Sequence, residues 1–249
     1  MFDTILNHRT IRKYKSDPIP EEILKNILEA GIRASTTGNM QVYSIIVTRD
    51  NELKEELAPC HFNQPMVTQA PVVLTFCADF NRFNKWCKLR KASPGYDNFL
   101  SFFTAAIDAL LVAQNVCIAA EELALGICYL GTTTYMASRI IEILELPSGV
   151  VPVTTVTLGY PDESPDQSDR LPLEAVIHHN TYHDYQEEDI NNFYRARESS
   201  DLYRSFIEEN KTETLAQVFT DVRYRKQDNI SFSKALLDVL EQQGFMNHK

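Results

Sequence analysis

A cluster of cationic, imidazole and hydroxyl side chains near the amino terminus has the chemistry to bind a phosphate. The cluster consists of His8, Arg9, Thr10, Ile11, Arg12 and Lys13. Arg9 and Arg12 stand three residues apart and would share one face of a helix. Guanidinium groups meet phosphate oxygens with paired hydrogen bonds, so such a cluster could hold an anion. An alternative stays open, in which these cations lie at a helix end or on a solvated surface.

The composition excludes several other kinds of chemistry. The chain has 249 residues, a formal charge of -10 and a pI near 5.1. This balance argues against a nucleic-acid-binding protein, because phosphate backbones are held by clustered Lys and Arg. The glycines match neither the dinucleotide fingerprint nor the P-loop, and Ser44 lacks the setting of a hydrolase nucleophile. The five cysteines show no zinc-ligand spacing, and we expect Cys77, Cys117 and Cys128 to be small buried side chains.

The longest apolar run, residues 99–125, is the one segment that could be mistaken for a membrane span. Asp108, Gln114 and Asn115 interrupt it, and no basic anchors flank it. We therefore interpret it as a central helix of the core or of a dimer interface. The amino-terminal residues lack the basic and then apolar pattern of a signal peptide, so we predict a cytoplasmic protein.

Strands and helices that could position the cationic cluster alternate through the first part of the chain. The β-rich segments 42–47, 72–76 and 150–158 are predicted strands. A helix is predicted to begin within residues 18–23, followed by Ile23, Ile27, Ala30 and Gly31 at helical spacing. Helices between well-separated strands predict an α+β or α/β layer structure. Residues 184–249 are polar and mostly helical by pattern, and we interpret them as an arm added to a domain of residues 1–183.

Three motifs follow one another in a fixed order: residues 8–14, residues 35–41 (Ser-Thr-Thr-Gly-Asn-Met-Gln) and residues 126–131 (Gly-Ile-Cys-Tyr-Leu-Gly). In order and distance they resemble the nitroreductase superfamily. Residues 78–82, the helix end at 113–121, and Leu-Gly-Tyr-Pro at 158–161 followed by Arg-Leu-Pro at 170–172 are most similar to one branch of it. That branch holds the NADPH-dependent flavin and nitro oxidoreductases, also called oxygen-insensitive nitroreductases. The resemblance runs through residues 1–183.

The resemblance implies a fold, a cofactor and an activity. The fold would be α+β with α/β/α layers: a central, mostly antiparallel sheet flanked by helices, with an extended helical C-terminal arm packing on the partner of a homodimer. FMN would lie at the subunit interface, with NADPH or NADH as co-substrate. The flavin N5 would take hydride from the nicotinamide in a ping-pong cycle and pass electrons to nitroaromatics, quinones or free flavin. No catalytic side chain is assigned.

The resemblance also implies the cofactor contacts. The ribityl phosphate would be surrounded by His8, Arg9, Arg12 and Arg170, and Thr10 would also contact the cofactor. Amide and hydroxyl groups, which suit a ring edge of alternating donors and acceptors, would be supplied by Thr36, Asn39, Gln41 and Gln64. The segment lying against the flavin would be Tyr129, Leu130, Gly131 and Thr132. Without the resemblance, residues 35–39 suit turns and helix caps equally well.

One departure from the branch bears on the phosphate site. Lys often stands two residues before the Arg of the Arg-Leu-Pro motif, whereas this chain has Ser168 there, with Asp169 next to it. Two other functions therefore stay open: a flavin-binding member without nicotinamide-driven turnover, and a structural domain without a cofactor. Reduction of a bound flavin by NADPH distinguishes the first, and a colourless protein that cannot be reconstituted with FMN indicates the second.

Overall fold

A computed structural model describes residues 2–248 and contains one sheet with helices around it. The helices are α1 (Phe2–Leu6), α2 (Glu21–Gly31), α3 (Asn51–Leu57), α4 (Met66–Gln69), α5 (Asn81–Leu89), α6 (Phe99–Glu122), α7 (Ala137–Ile143), α8 (Glu187–Ser199), α9 (Asp201–Asn210), α10 (Leu215–Gln217) and α11 (Lys226–Gln242). The strands are β1 (Tyr43–Thr48), β2 (Val72–Asp79), β3 (Gly126–Leu130) and β4 (Val150–Gly159). Short 3-10 turns lie at Thr37–Asn39, Ala58–His61 and Leu173–Ala175.

All strands of the described chain pair antiparallel, in the order β1-β2-β4-β3. Every residue of β2 is buried, since helices cover both faces of the sheet, and this explains its continuous apolar run. The predicted strands at 42–47, 72–76 and 150–158 are confirmed with slightly shifted ends. Strand β3 is not among the predicted strands, because its five residues were interpreted only as a glycine-flanked motif.

Helix α6 is the central helix of the fold. It begins where the Asn98 side chain accepts a hydrogen bond of 3.1 Å from Ser101 N, and it ends before Ala124, whose φ is 59°. Its buried face, including Val112 and Val116, packs against α2 and the sheet. By length and composition this helix could cross a bilayer, but half of its apolar window is buried inside the protein. The prediction of a core helix at this segment is confirmed.

The layers on the two sides of the sheet have separate apolar cores. On one side, α2 and α6 cover the sheet, with Ile27 of α2 and Phe76 of β2 in the same cluster as α6. On the other side, Leu57, Met66 and Ile140 form a second cluster with residues of β3. The α+β fold with α/β/α layers, expected from the resemblance, is confirmed.

The chain divides into two compact units, Met1–Asp166 with Phe232–Lys249, and Gln167–Ser231. The predicted boundary at residue 183 falls inside the second unit. The end of the chain belongs to the first unit, where Val239, Leu240 and Phe245 are buried beside Phe102. The five cysteines are free and buried, as expected for Cys77, Cys117 and Cys128.

Candidate functional site

The cationic cluster lies on an extended segment beside β3 and not on a helix. Helix α1 ends at Leu6; Thr10 then forms a parallel bridge with Ile127, whose oxygen accepts a hydrogen bond of 2.9 Å from Ile11 N. A Cβ at Gly126 would lie 2.6 Å from Ile11 Cβ, so glycine allows the two segments this approach. The helical spacing considered for Arg9 and Arg12 is therefore wrong, and β3 positions the cluster.

Two carboxylates hold this segment through groups other than its arginine side chains. His8 Nδ1 lies 2.6 Å from Glu121 Oε1, and Glu163 Oε1 accepts from Arg12 N at 2.5 Å. The guanidinium groups of Arg9 and Arg12 form no salt bridge or hydrogen bond within residues 2–248, and both side chains are exposed. Arg9 lines an open cavity of about 350 Å³ together with Glu121 and Glu163. Two cations thus remain available for an anion.

The predicted amide segment, residues 36–41, forms a strained loop that is held at both ends. Gly38, Asn39 and Gln41 all have φ between 54° and 57°, in the left-handed region that non-glycine residues rarely adopt. At one end, Thr37 N donates a 2.9 Å hydrogen bond to Asp108 Oδ1. At the other end, Arg82 Nη2 donates to the Gln41 oxygen. The side chains of Asn39 and Gln41 are exposed and touch each other, with 3.2 Å between Gln41 Nε2 and Asn39 Oδ1.

Asp108 is a site residue that sequence reasoning noted only as an interruption of an apolar run. It is fully buried within α6. Its Oδ2 atom has no hydrogen-bond partner among the described residues. A polar side chain is costly to bury in an apolar helix, and Asp108 offsets part of that cost by satisfying the backbone of the loop.

His61 joins two other predicted contact residues and was missed altogether. Its Nδ1 atom lies 2.8 Å from Thr132 Oγ1, and its backbone oxygen accepts a 3.0 Å hydrogen bond from Gln64 Nε2. Burial lowers the pKa of the imidazole from 6.5 to about 4, so His61 is neutral near pH 7. Its Nε2 atom has no partner among the described residues. A single histidine outside any motif gives no pattern that could have revealed this role.

The carboxyl end of β3 and the glycine that follows it border open surface. Gly131 is exposed, and no atom lies within 4 Å of the position that a Cβ would take there. The Leu130 side chain, by contrast, is buried in the second apolar cluster, so Leu130 can meet a ligand only through its main chain. Tyr129 points its hydroxyl at Gln114 Oε1, 3.5 Å away. Burial raises the pKa of the Tyr129 hydroxyl, which therefore stays protonated.

Helix α6 holds three of the predicted segments in order along its length. Asp108 holds the 36–41 loop, Gln114 contacts Tyr129, and Glu121 binds His8. At 1.5 Å per residue, these three side chains span about 20 Å of helix. The amide loop and the cationic cluster therefore lie near opposite ends of this span.

Arg170 lies in the second unit, Gln167–Ser231. Its Nη1 atom donates to the oxygens of Ser168 and Asp169, at 3.3 and 2.8 Å. The Asp169 carboxylate is bound by Arg197 Nε at 2.6 Å and by the Tyr203 hydroxyl at 2.7 Å. Although desolvation opposes it, these two partners lower the pKa of Asp169. The charge of Asp169 is thus matched by Arg197.

The fold and site define an α+β protein in which exposed guanidinium and amide groups are arranged along one central helix. Residues 5–160 match the nitroreductase family. The chain is 35% identical over 207 residues to an FMN reductase (NADPH) of Bacillus subtilis, which covers 78% of this chain and 83% of that protein. It therefore belongs to the nitroreductase family.

Solved structures agree with this assignment. A Bacteroides fragilis protein described as an oxidoreductase is 60% identical, with a TM-score of 0.97 over 98% of this chain and 100% of that one. The NADPH:FMN oxidoreductase of Vibrio harveyi, solved with NAD+, is 28% identical, with a TM-score of 0.80 over 99% of both chains.

Proposed function

We propose that this protein is an FMN-dependent NAD(P)H oxidoreductase that reduces small electron-poor molecules such as nitroaromatics, quinones or free flavin. Family membership and the activities named for its relatives in Bacillus subtilis and Vibrio harveyi support the reaction class. The observation that carries the proposal is the pair of guanidinium groups of Arg9 and Arg12, which have no salt-bridge or hydrogen-bond partner among residues 2–248. They lie toward one end of a line of hydrogen-bonding groups held by α6.

The residues present fit a flavin mononucleotide. An acidic chain needs a local source of positive charge to hold a phosphate monoester, and Arg9 and Arg12 supply it. The open space at Gly131 suits a flat ring, because among the described residues only its own chain neighbours come within 4 Å of the position that a Cβ would take there. Gln64 and Thr132 are held by His61 and can keep fixed positions against such a ring.

Each predicted contact has a defined part in this proposal. Arg9 and Arg12 bind the phosphate with Thr10, while His8 positions the segment through Glu121. For Arg170, which lies in the second unit, the role of a phosphate ligand rests on the family resemblance alone. The polar groups that orient the ring and the ribityl chain are Thr36, Asn39, Gln41, Gln64, Thr132 and the main chain of Tyr129, Leu130 and Gly131. When held by these residues, FMN would supply the redox chemistry of hydride and electron transfer between the nicotinamide and the acceptor.

The exposed face of α6 supports a homodimer as part of the proposal. Its large apolar side chains are Leu100, Phe103, Ile107, Leu110 and Leu111, each more than 40% exposed. Contiguous apolar surface of this kind is typical of a subunit interface. We propose a cytoplasmic dimer in which residues 184–231 form the arm that packs on the partner, because residues 232–249 belong to the first unit.

An anaerobic absorbance titration tests the function. The purified protein is scanned before and after addition of NADPH, then NADH, and finally a quinone or nitroaromatic. We expect the flavin band to bleach with a nicotinamide and to return with the acceptor. A bound flavin that neither nucleotide bleaches would refute hydride transfer and favour a flavin-binding protein without turnover.

Two variants make the titration specific to the proposed site. Arg12→Ala removes one phosphate ligand and should lower the FMN content of the purified protein. Lys13→Ala removes the same charge from the next residue and should leave the FMN content unchanged. Equal FMN contents in the two variants would contradict the assignment of the phosphate to Arg12.

A further inference from the structure

Helix α5 carries a basic and aromatic surface that the oxidoreductase activity does not use. Five of the chain's 24 basic residues lie within residues 82–91, and no acidic residue stands between Asp79 and Asp97. The side chain of Arg82 is occupied by the oxygens of Gln41 and Tyr43. The remaining surface, which we name the α5 patch, consists of Lys85, Trp86, Lys88, Leu89, Arg90 and Lys91.

The four cations of the α5 patch are free to meet a partner. Lys85, Lys88, Arg90 and Lys91 are exposed, and within the chain from residue 2 to residue 248 their side chains form neither salt bridges nor hydrogen bonds. Cations on a strongly acidic protein would ordinarily find carboxylates nearby. Their concentration on one short, unpaired segment indicates an anionic partner.

The apolar members of the α5 patch are large and rigidly supported. Trp86 is 55% exposed and Leu89 is 75% exposed. The Trp86 ring packs 5.4 Å from Phe83, whose ring contacts Tyr96, which in turn stacks 4.8 Å from the buried Phe80. These ring contacts hold Trp86 against the core. A partner that covers the exposed face of Trp86 would therefore restrict little side-chain motion, and the entropic cost of binding would be small.

We propose that the α5 patch is a docking site for a short acidic segment of another protein, one that carries at least one large apolar side chain. Carboxylates of that segment pair with Lys85, Lys88, Arg90 and Lys91, and its apolar side chain covers Trp86 and Leu89. Helix α5 spans only about 13 Å at 1.5 Å per residue. A nucleic acid or an anionic membrane would extend past it toward a protein of net charge -10, and would be repelled there.

Trp86 is the only tryptophan in the chain, so its fluorescence reports on the α5 patch directly. The probe is a short, dye-labelled peptide of glutamates with a central leucine, added to the FMN-loaded protein. We expect saturable binding by anisotropy, a change in Trp86 emission, and weakening as salt is added. The same peptide with glutamine in place of glutamate should not bind.

Matched variants locate the binding. Lys85→Ala/Lys88→Ala should weaken binding roughly five- to tenfold, as expected for the loss of two exposed ion pairs. Lys25→Ala/Lys234→Ala changes the net charge by the same amount at residues far from the α5 patch in the sequence. It should bind the glutamate peptide like the parent protein. Both variants should retain the parent FMN content and NADPH oxidation rate, which separates failure of this proposal from failure of the proposed activity.

Four results would overturn the proposal. The first is the absence of saturable binding, and the second is equal binding of the glutamine peptide. The third is tighter binding of oligothymidylate or of phosphatidylserine vesicles, which would assign the α5 patch to a polyanion. The fourth is a change of sedimentation coefficient in Lys85→Ala/Lys88→Ala, which would assign the patch to a second copy of the chain.

Discussion

The two ends of the candidate site are built in opposite ways. At the cationic end, carboxylates bind the backbone and the His8 ring, and the guanidinium groups of Arg9 and Arg12 stay exposed. At the amide end, the groups that hold the loops are themselves buried: Asp108 and His61 are at most 1% exposed. One end therefore offers charge to a ligand, and the other offers fixed geometry.

This difference has an energetic basis. A phosphate carries its own strong electrostatic attraction, so mobile cations can bind it without precise support. A neutral ring is oriented only by directional hydrogen bonds, which gain from groups that are fixed before binding. We therefore expect the cationic end to dominate cofactor affinity and the amide end to dominate stability and orientation.

The largest effect should come from removing both cations. In Arg9→Ala/Arg12→Ala, loss of hydrogen bonds to a charged phosphate, each worth about 1.5–3 kcal/mol, should weaken FMN binding by a hundredfold or more. Quenching of FMN fluorescence on titration with apoprotein measures the affinity. Arg9→Lys/Arg12→Lys keeps the charge but loses the forked donors. Its affinity for FMN should lie between those of the parent protein and of the alanine variant. Parent-like affinity in the alanine variant would remove this end from the site.

The second effect is a loss of stability in acid that depends on His61. Its pKa is about 4 in the folded chain and 6.5 in the unfolded chain, so the unfolded state binds more protons between these values. Stability should therefore fall as the pH drops from about 6.5 to 4, by about 3 kcal/mol. Denaturant unfolding of the parent and of His61→Gln across this range isolates the contribution. The unfolding free energy of His61→Gln should change less between pH 6.5 and 4 than that of the parent. Equal pH profiles of stability would disprove the role of His61.

A smaller effect should follow replacement of Asp108. Asp108→Leu leaves the Thr37 N–H without its acceptor and should cost about 1–3 kcal/mol of unfolding free energy. Asp108→Asn retains an acceptor of the same shape and should cost less. Thermal unfolding gives the stability, and FMN titration shows whether the 36–41 loop still supports binding. If both variants were as stable as the parent, the loop would not depend on this contact.

More of the cationic end than of the amide end of the candidate site is visible in the sequence. Arg9 and Arg12 form a visible local cluster, and β2, β4 and α6 follow from β-rich or apolar runs. The anchors of the amide end come from distant segments: Asp108 acts 71 residues from Thr37, and His61 acts 71 residues from Thr132. Such pairs exist only in the folded chain. The burial of Phe245 in the core could not be predicted from the sequence either, because this residue follows a long polar region.

The smallest effect concerns the departure at Ser168, and it should be a gain. Because Arg197 and Tyr203 already bind Asp169, a cation at position 168 would face little competition from that carboxylate. If Arg170 contributes to the phosphate site, Ser168→Lys should tighten FMN binding several-fold, equivalent to about 1 kcal/mol or less for an exposed charge. Ser168→Gln has a similar length without the charge and should bind FMN like the parent. Tightening that is equal in both variants would attribute the gain to packing, and no tightening in Ser168→Lys would place residue 168 outside the reach of the phosphate. The cationic end would then consist of Arg9 and Arg12 with the segment that carries them.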